Sequence, residues 1–329
     1  FINVALGMYK ADHHLVLAPI RGVTNYIFRN ALEETFGGAD SSISPYIVTK
    51  ESGELNQRQL FDPDFSKNKI PTTSQILTKE VDQFIHVAKL HRDMGVKKVN
   101  LNMGCPYPMV ANRTKGSGLL LHPERVEKLL TEIKERSPIE FTVKIRLGRE
   151  SKDEIKKIIP IINELEIHDF TIHARLGKQL YKGAVDIDGF EECLPLLNTL
   201  PCYNGDIKTV EDYNRLTTRM PQIKRWMIGR AALSNPALLS QIRGEIFNEQ
   251  KYRANFIKMH QIMSYEYLNA ANAKSDYLQR MREHWLYFKD VFEDEHKVYK
   301  KIKKAKTIDQ FQEAVEWILN QEISESVLN

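Results

Sequence analysis

Cysteine is scarce in this chain, with three among 329 residues, at 105, 193 and 202, and no C-x-x-C pair. The odd count excludes a closed disulfide framework, the spacing offers no zinc site, and a reducing compartment fits both. No metal is therefore expected. No apolar run approaches the length needed to cross a bilayer, and the first residues lack the basic, apolar and small-residue order of a signal peptide. The expectation is a soluble cytoplasmic protein without a membrane partner. Charge of neither sign dominates: 47 Lys and Arg against 43 Asp and Glu give a net charge of +4. A polyanionic partner is allowed by that balance but not demanded. Internal repeats and low-complexity tracts are lacking, and so is a G-x-G-x-x-G after the first β-like run. The last absence weakens a doubly wound nucleotide-binding sheet, the alternative to the architecture below.

What the chain does contain is strand–helix alternation. Eight β-rich runs occur: LVLAP (15–19), SSISPYIV (41–48), TTSQIL (72–77), KKVNLNM (97–103), FTVKIRL (141–147), DFTIHAR (169–175), LPCYNG (200–205) and RWMIGR (225–230). Helical stripes lie between most of them, such as Val81, Phe84, Ile85 and Ala88, or Val126, Leu129, Leu130 and Ile133 behind Pro123. Eight such units favour an α/β chain closed into a (β/α)8 TIM barrel. From about residue 245 the strands stop. Phe256, Met259, His260, Met263 and Tyr267 form one helical stripe, Leu278, Met281, Trp285, Phe288 and Phe292 a second, Phe311, Val315 and Ile318 a third. The expected division is a barrel over 1–244 and a C-terminal all-α helical bundle over 245–329.

Alternation along the strands directs attention to one end of the barrel. Val143, Ile145 and Leu147 share a face opposite Lys144 and Arg146; Phe170, Ile172 and Ala174 oppose Thr171, His173 and Arg175; Val99, Leu101 and Met103 oppose Asn100 and Asn102. The apolar faces belong against the helices, so the polar ones point into the barrel. Lys144 and His173 each have an ordinary structural reading, as a paired lysine and a satisfied core histidine, and Gln75 alone signals little. Their coincidence near one end implies a hydrogen-bonding or anionic ligand, since burying such groups together is otherwise costly. The last two strands end in Asn204-Gly205-Asp206 and Gly229-Arg230, turns suited to a phosphate after strands seven and eight. Gly104-Cys105-Pro106 closes the fourth run. Cys105 lacks companion cysteines for a metal and a nearby histidine for a nucleophile, so the residues alone leave its role open.

The ordered segments LAPIRGVTNYIFR (17–29), SQIL (74–77), LNMGCP (101–106), VKIRLG (143–148), IHARLGKQLYKGAVD (172–186), YNGDI (203–207) and MIGRAAL (227–233) resemble those of the tRNA-dihydrouridine synthases. These are flavin enzymes that reduce uridine in RNA, and the resemblance spans the whole barrel. It implies FMN as bound cofactor, NADPH as transient reductant and tRNA as partner, with the helical region helping to hold the RNA and the protein acting as a monomer. Carried across, Ala18, Pro19 and Ile20 lie beside the flavin ring, and Gln75, Lys144 and His173 contact the ring or its ribityl chain. Asn204, Gly205, Asp206, Gly229 and Arg230 hold the phosphate. Cys105 matches the catalytic cysteine, a proton donor to C5 of the uracil, and a thiol of reference pKa about 8.5 is mostly protonated near neutrality. Asn102 and Arg175 match positions near flavin or uracil. Arg21, Tyr107 and Ile187 depart from the common pattern, the first two beside the expected pocket.

The helical region is balanced in charge, yet KVYKKIKKAK (297–306) carries six lysines in ten residues, and Arg280 and Arg282 precede it. A lysine run is often only a solvated helix face. Beside the resemblance it reads as a surface that tracks RNA phosphates. Rival readings are the same chemistry on rRNA, a dihydroorotate-dehydrogenase-like small-molecule oxidoreductase, and a non-catalytic RNA-binding module.

Overall fold

The computed structural model describes residues 12–49, 55, 62, 66–270 and 274–328; residues 1–11 of the segment assigned to the barrel lie outside the described residues. Among the described residues, nine parallel strands form one closed sheet: β1 (His14–Leu17), β2 (Ser41–Ile43), β3 (Ile47–Val48), β4 (Thr72–Leu77), β5 (Lys98–Met103), β6 (Glu140–Gly148), β7 (Phe170–Leu176), β8 (Cys202–Asn204) and β9 (Arg225–Ile228). β1 pairs with β2 and β9, and both β2 and β3 pair with β4, so the two short strands act as one stave of an eight-membered barrel. The expected second strand, 41–48, is thus interrupted. Pro45 falls in the gap, where its missing N–H cannot serve the ladder.

Alternation sorts the two faces as the sequence implies. Val143, Ile145, Leu147, Phe170, Ile172 and Ala174 are buried in the main apolar core with residues of the surrounding helices, among them Leu130 of Pro123–Arg136 and Ile158 of Asp153–Glu164. Inside the barrel, Val16, Ala18, Ile43, Cys202 and Met227 make a separate apolar cluster. Register sets Lys144 opposite Asn102 and Thr171, and His173 opposite Arg146 and Asn204. The polar side chains on these four strands therefore lie in adjacent register inside the barrel.

From Glu249 onward the chain forms helices Glu249–Ala270, Lys274–Phe288, Glu295–Lys304 and Ile308–Leu319 and a last short turn, Glu325–Leu328. Their core, including Phe256, Met263, Trp285 and Phe311, is continuous with that of the barrel. Polar contacts reinforce the junction. Tyr267 Oη donates to Asn25 Oδ1 (2.9 Å), and His284 Nε2 lies 2.9 Å from the same hydroxyl. Asn25 Oδ1 also caps the helix Tyr26–Thr35, and Asn255 Nδ2 donates to the Thr35 carbonyl at that helix's other end (2.8 Å). The helical region therefore grips the first barrel helix at both ends. No described helix is long and apolar enough to cross a membrane.

Candidate active site

Side chains on β4, β5, β6 and β8 form two hydrogen-bonded groups inside the barrel. Gln75 Nε2 donates to Asn100 Oδ1 (2.8 Å), Asn102 Nδ2 donates to Gln75 Oε1 (2.9 Å), and Asn100 Nδ2 donates to Thr142 Oγ1 (2.6 Å). On the other side Lys144 Nζ donates to Asn204 Oδ1 (2.8 Å), whose own amide donates to the Met227 carbonyl (2.9 Å). Desolvation, aided by the charge of Arg146, pushes the Lys144 ammonium down to about 7. His173 is held well below its ordinary value by burial and then by Arg146, Lys144, Arg175 and Arg230, so at neutral pH it is the uncharged imidazole.

The low Lys144 value carries a pH signature. Between about 7 and its ordinary 10.5, the unfolded chain holds a proton that the native protein has lost. Stability is then expected to rise with pH across that window. Melting curves of ligand-free protein at pH 7 and pH 9 should show a rise that Lys144→Met lacks. Equal slopes in the two proteins would refute the assignment.

Cys105 follows β5 in a turn held from three directions. Asn102 Oδ1 accepts from the N–H groups of Gly104 (3.0 Å) and Cys105 (2.8 Å), which spends that oxygen on shaping the turn. Ser117 donates to the Cys105 carbonyl through both its N–H and its hydroxyl, each at 3.0 Å. Gly116 makes this approach possible: at φ +56°, a Cβ there would stand 2.6 Å from the Cys105 carbonyl oxygen. The third support is Arg146, 1% exposed, whose Nε donates to the Gly104 carbonyl (2.9 Å) and Nη1 to that of Leu176 (2.8 Å). Arg149 adds a bond from Nη1 to the Pro106 carbonyl (3.1 Å). Cys105 as a whole is 5% exposed.

The part of the mouth at the ends of β7, β8 and β9 is organised by an ion pair. Arg175 is buried and donates to both carboxylate oxygens of Asp206, from Nη1 at 2.9 Å and Nη2 at 2.5 Å, with Arg230 3.4 Å from the same carboxylate. The Asp206 carboxylate is thus turned to arginines, leaving its backbone N–H as the group suited to an anion. Gly205 has a packing reason for lacking a side chain, because a Cβ there would meet the Tyr203 hydroxyl at 2.9 Å. Gly229 lies against Ala18, with a hypothetical Cβ 3.3 Å from the alanine methyl. Ala18 donates its N–H to Ile228, and Thr24 fixes the Pro19–Ile20 turn by accepting from the Ile20 N–H (2.8 Å).

The rim is aromatic and basic. Tyr181 lies under the guanidinium groups of Arg230 (5.1 Å) and Arg146 (5.3 Å), with Tyr107 6.1 Å and His173 6.5 Å away between ring centres. Tyr287 of the helical region feels both Arg230 and Tyr107, which brings helix Lys274–Phe288 to the same rim. Arg280 is on that helix near Gly22, paired loosely with Asp276 and Glu283. Arg282 is engaged elsewhere: its guanidinium donates to the Ala305 carbonyl at the end of helix Glu295–Lys304. Lys300, Lys301, Lys303, Lys304 and Lys306 are exposed, while Lys297 and Lys301 also cover the Trp317 ring (5.0 and 4.5 Å). Sequence reasoning marks Arg146 only as inward-facing, and it does not single out Tyr46, Gly116, Ser117 or Tyr181. Tyr181 falls within the segment 172–186, and Gly116-Ser117-Gly118 is a glycine-rich signal that the sequence does offer.

Comparison with known proteins accords with this geometry. Residues 16–326 match the family model described as dihydrouridine synthase. A probable tRNA-dihydrouridine synthase of Staphylococcus epidermidis is 30% identical over 235 residues, covering 67% of this chain and 69% of the relative. The tRNA-dihydrouridine synthase B of Escherichia coli K12 is 26% identical over 249 residues, covering 72% of this chain and 74% of its own. Among solved structures, the old yellow enzyme homologue of Zymomonas mobilis superposes with a TM-score of 0.52 at 12% identity, over 75% of this chain and 94% of that one. At that identity the likeness concerns the barrel fold.

Proposed function

Since the chain belongs to the dihydrouridine synthase family, we propose that it reduces the 5,6 double bond of a uridine in tRNA, with FMN in the barrel mouth and NADPH as reductant. The observation that carries this reading is Cys105, fixed by Asn102, Ser117 and Arg146 at the same strand ends as Lys144 and His173. The residues present fit FMN. Lys144, Arg146, Arg175 and Arg230 all act on His173, while the carboxylate among them, Asp206, is engaged by two arginines. Arg175 Nε is in addition buried without a hydrogen-bond partner. That surplus of positive charge suits an anionic, hydrogen-bonding cofactor.

When bound, FMN supplies hydride chemistry for C6 of the uracil. The protein does the rest. Cys105 gives its proton to C5, Asn102 holds the turn that aims the thiol, and Lys144 and His173 stabilise negative charge on a carbonyl or ring nitrogen. Ala18, Pro19, Ile20 and Gln75 are assigned to the ring, and Asn204 to orienting Lys144. The backbone at Gly205, Asp206 and Gly229, with Arg230, is assigned to the phosphate. The barrel over 1–244 carries the chemistry, and residues 245–329 bind tRNA, the protein acting as a cytoplasmic monomer. The decisive experiment incubates purified protein with an unmodified tRNA transcript, FMN and NADPH and maps dihydrouridine by mass spectrometry. No gain of two hydrogens at any uridine would sink the proposal, and a gain in rRNA instead would move the substrate.

Exposed lysines on helix Glu295–Lys304 are the part of this reading that salt can test. Lys300→Glu with Lys304→Glu is expected to weaken tRNA binding and to flatten its dependence on log salt by about one unit for each phosphate no longer neutralised. An unchanged slope in filter-binding titrations would return this run to a merely solvated face.

A further inference from the structure

The thiol of Cys105 has one side-chain partner that the proposed chemistry has not used. Tyr46 lies between β2 and β3, just after the Pro45 break, and its Oη is 3.7 Å from Cys105 Sγ, with either atom able to donate. The two side chains share a small apolar cluster with Leu77 and Val110, apart from the main core, and Tyr46 is 7% exposed. The Arg21 guanidinium lies 5.5 Å from the Tyr46 ring centre and also acts on its hydroxyl. Arg21 is itself exposed at the mouth, so the series Arg21–Tyr46–Cys105 runs from solvent to the thiol.

We propose that Tyr46 is a positioning residue for Cys105, holding the thiol by a hydrogen bond in its protonated state and donating its O–H to the thiolate left after proton delivery. The inference rests on Cys105 as the proton donor. In the step, the S–H bond breaks and a C5–H bond forms. The thiolate then regains its proton from water while Tyr46 keeps its own. Burial and the neighbouring thiol both raise the Tyr46 hydroxyl, with Arg21 opposing them, so the phenol remains a donor throughout the working range. Among the described residues, Arg146 and Tyr181 also interact electrostatically with Cys105. An O–H bond to a thiolate is charge-assisted and favours the ionised form, and that is the measurable consequence.

Tyr46→Phe removes the hydroxyl and keeps the ring under Arg21. In the FMN-loaded protein, iodoacetamide labelling of Cys105 is followed by peptide mass spectrometry across pH. Burial raises the thiols of Cys193 and Cys202 to about 12 and about 11, so the Cys105 peptide reports separately. The labelling midpoint in Tyr46→Phe is expected about one pH unit higher, a roughly tenfold slower reaction at a fixed pH below it. Single-turnover reduction of tRNA should slow with FMN content unchanged, and the effect of Tyr46→Phe should vanish in a Cys105→Ala background. An unchanged midpoint, with Cys105→Ala inactive, overturns the role of Tyr46 and leaves the proton donor standing. Full turnover by Cys105→Ala instead overturns the donor and, with it, any part for Tyr46 in the reaction. Should Tyr46→Phe fail to accumulate, Arg21→Gln makes the phenol a poorer donor and should move the midpoint the same way by a smaller amount; no movement overturns the proposal.

Discussion

Cys105→Ala is expected to slow uridine reduction by about 10²–10⁴-fold, the usual worth of a positioned general acid. Flavin content and the melting curve should change little. The loss falls on the chemical step because the turn does not depend on Sγ. Asn102, Ser117, Arg146 and Arg149 all hold backbone atoms of residues 104–106, and those bonds persist when the side chain is shortened. Serine at 105 is the sharper control. It is a similarly small side chain with an O–H in place of the S–H, yet a hydroxyl holds its proton far more tightly than a thiol. Its activity is therefore expected near that of alanine. Single-turnover measurements with pre-reduced protein separate this step from reductant binding. Alanine activity within a factor of about three of wild type would remove Cys105 from the reaction, since general acids contribute far more than that.

The barrel and most of its mouth were legible because strand alternation is a local property. Lys144 and Arg146 oppose Val143, Ile145 and Leu147 in sequence, and the fold buries the apolar set against helices and lines the interior with the polar set. His173, Asn102 and Asn204 follow the same rule. Contacts made by loops were not legible, because no period links Tyr46 to Cys105 across 59 positions or Gly116 to the Cys105 carbonyl. The Pro45 break is the physical reason in the first case: it ends the alternation of the second stave just before Tyr46. Arg146 illustrates the intermediate case. Its face was readable, but its choice of the Gly104 and Leu176 carbonyls depends on how the ends of β5 and β7 flank β6. Arg280 and Arg282 were paired by proximity in the sequence. Residues two apart on a helix point to widely separated sides, and the structure engages Arg282 at Ala305 while Arg280 approaches Gly22.

Asp206→Ala is expected to lower stability by about 3 kcal/mol at pH 7, the scale for stripping one partner from a buried charge pair. Arg175 has 2% of its side chain exposed and Asp206 19%, so water cannot readily replace the carboxylate. The orphaned guanidinium would also stand near Arg146 and Arg230, both already crowding His173. Burial by itself would raise the Asp206 carboxyl, but the hydrogen bond and charge of Arg175 outweigh it and hold the group below its ordinary 3.8. A carboxyl lowered in the folded state adds stability that is present above its unfolded value and lost as pH falls through the folded one. The gap between wild type and Asp206→Ala should therefore be full at neutral pH and narrow only in acid below about 4. Urea titrations at pH 7 should show a lower midpoint with an unchanged slope, the mark of lost stability without a change in exposed surface. Asp206→Asn keeps one acceptor for Arg175 and should recover part of the loss. An alanine variant with the wild-type midpoint at pH 7 would mean that the Arg175 charge finds its counter-ion elsewhere, and the ion pair would lose its place as the organiser of this part of the mouth.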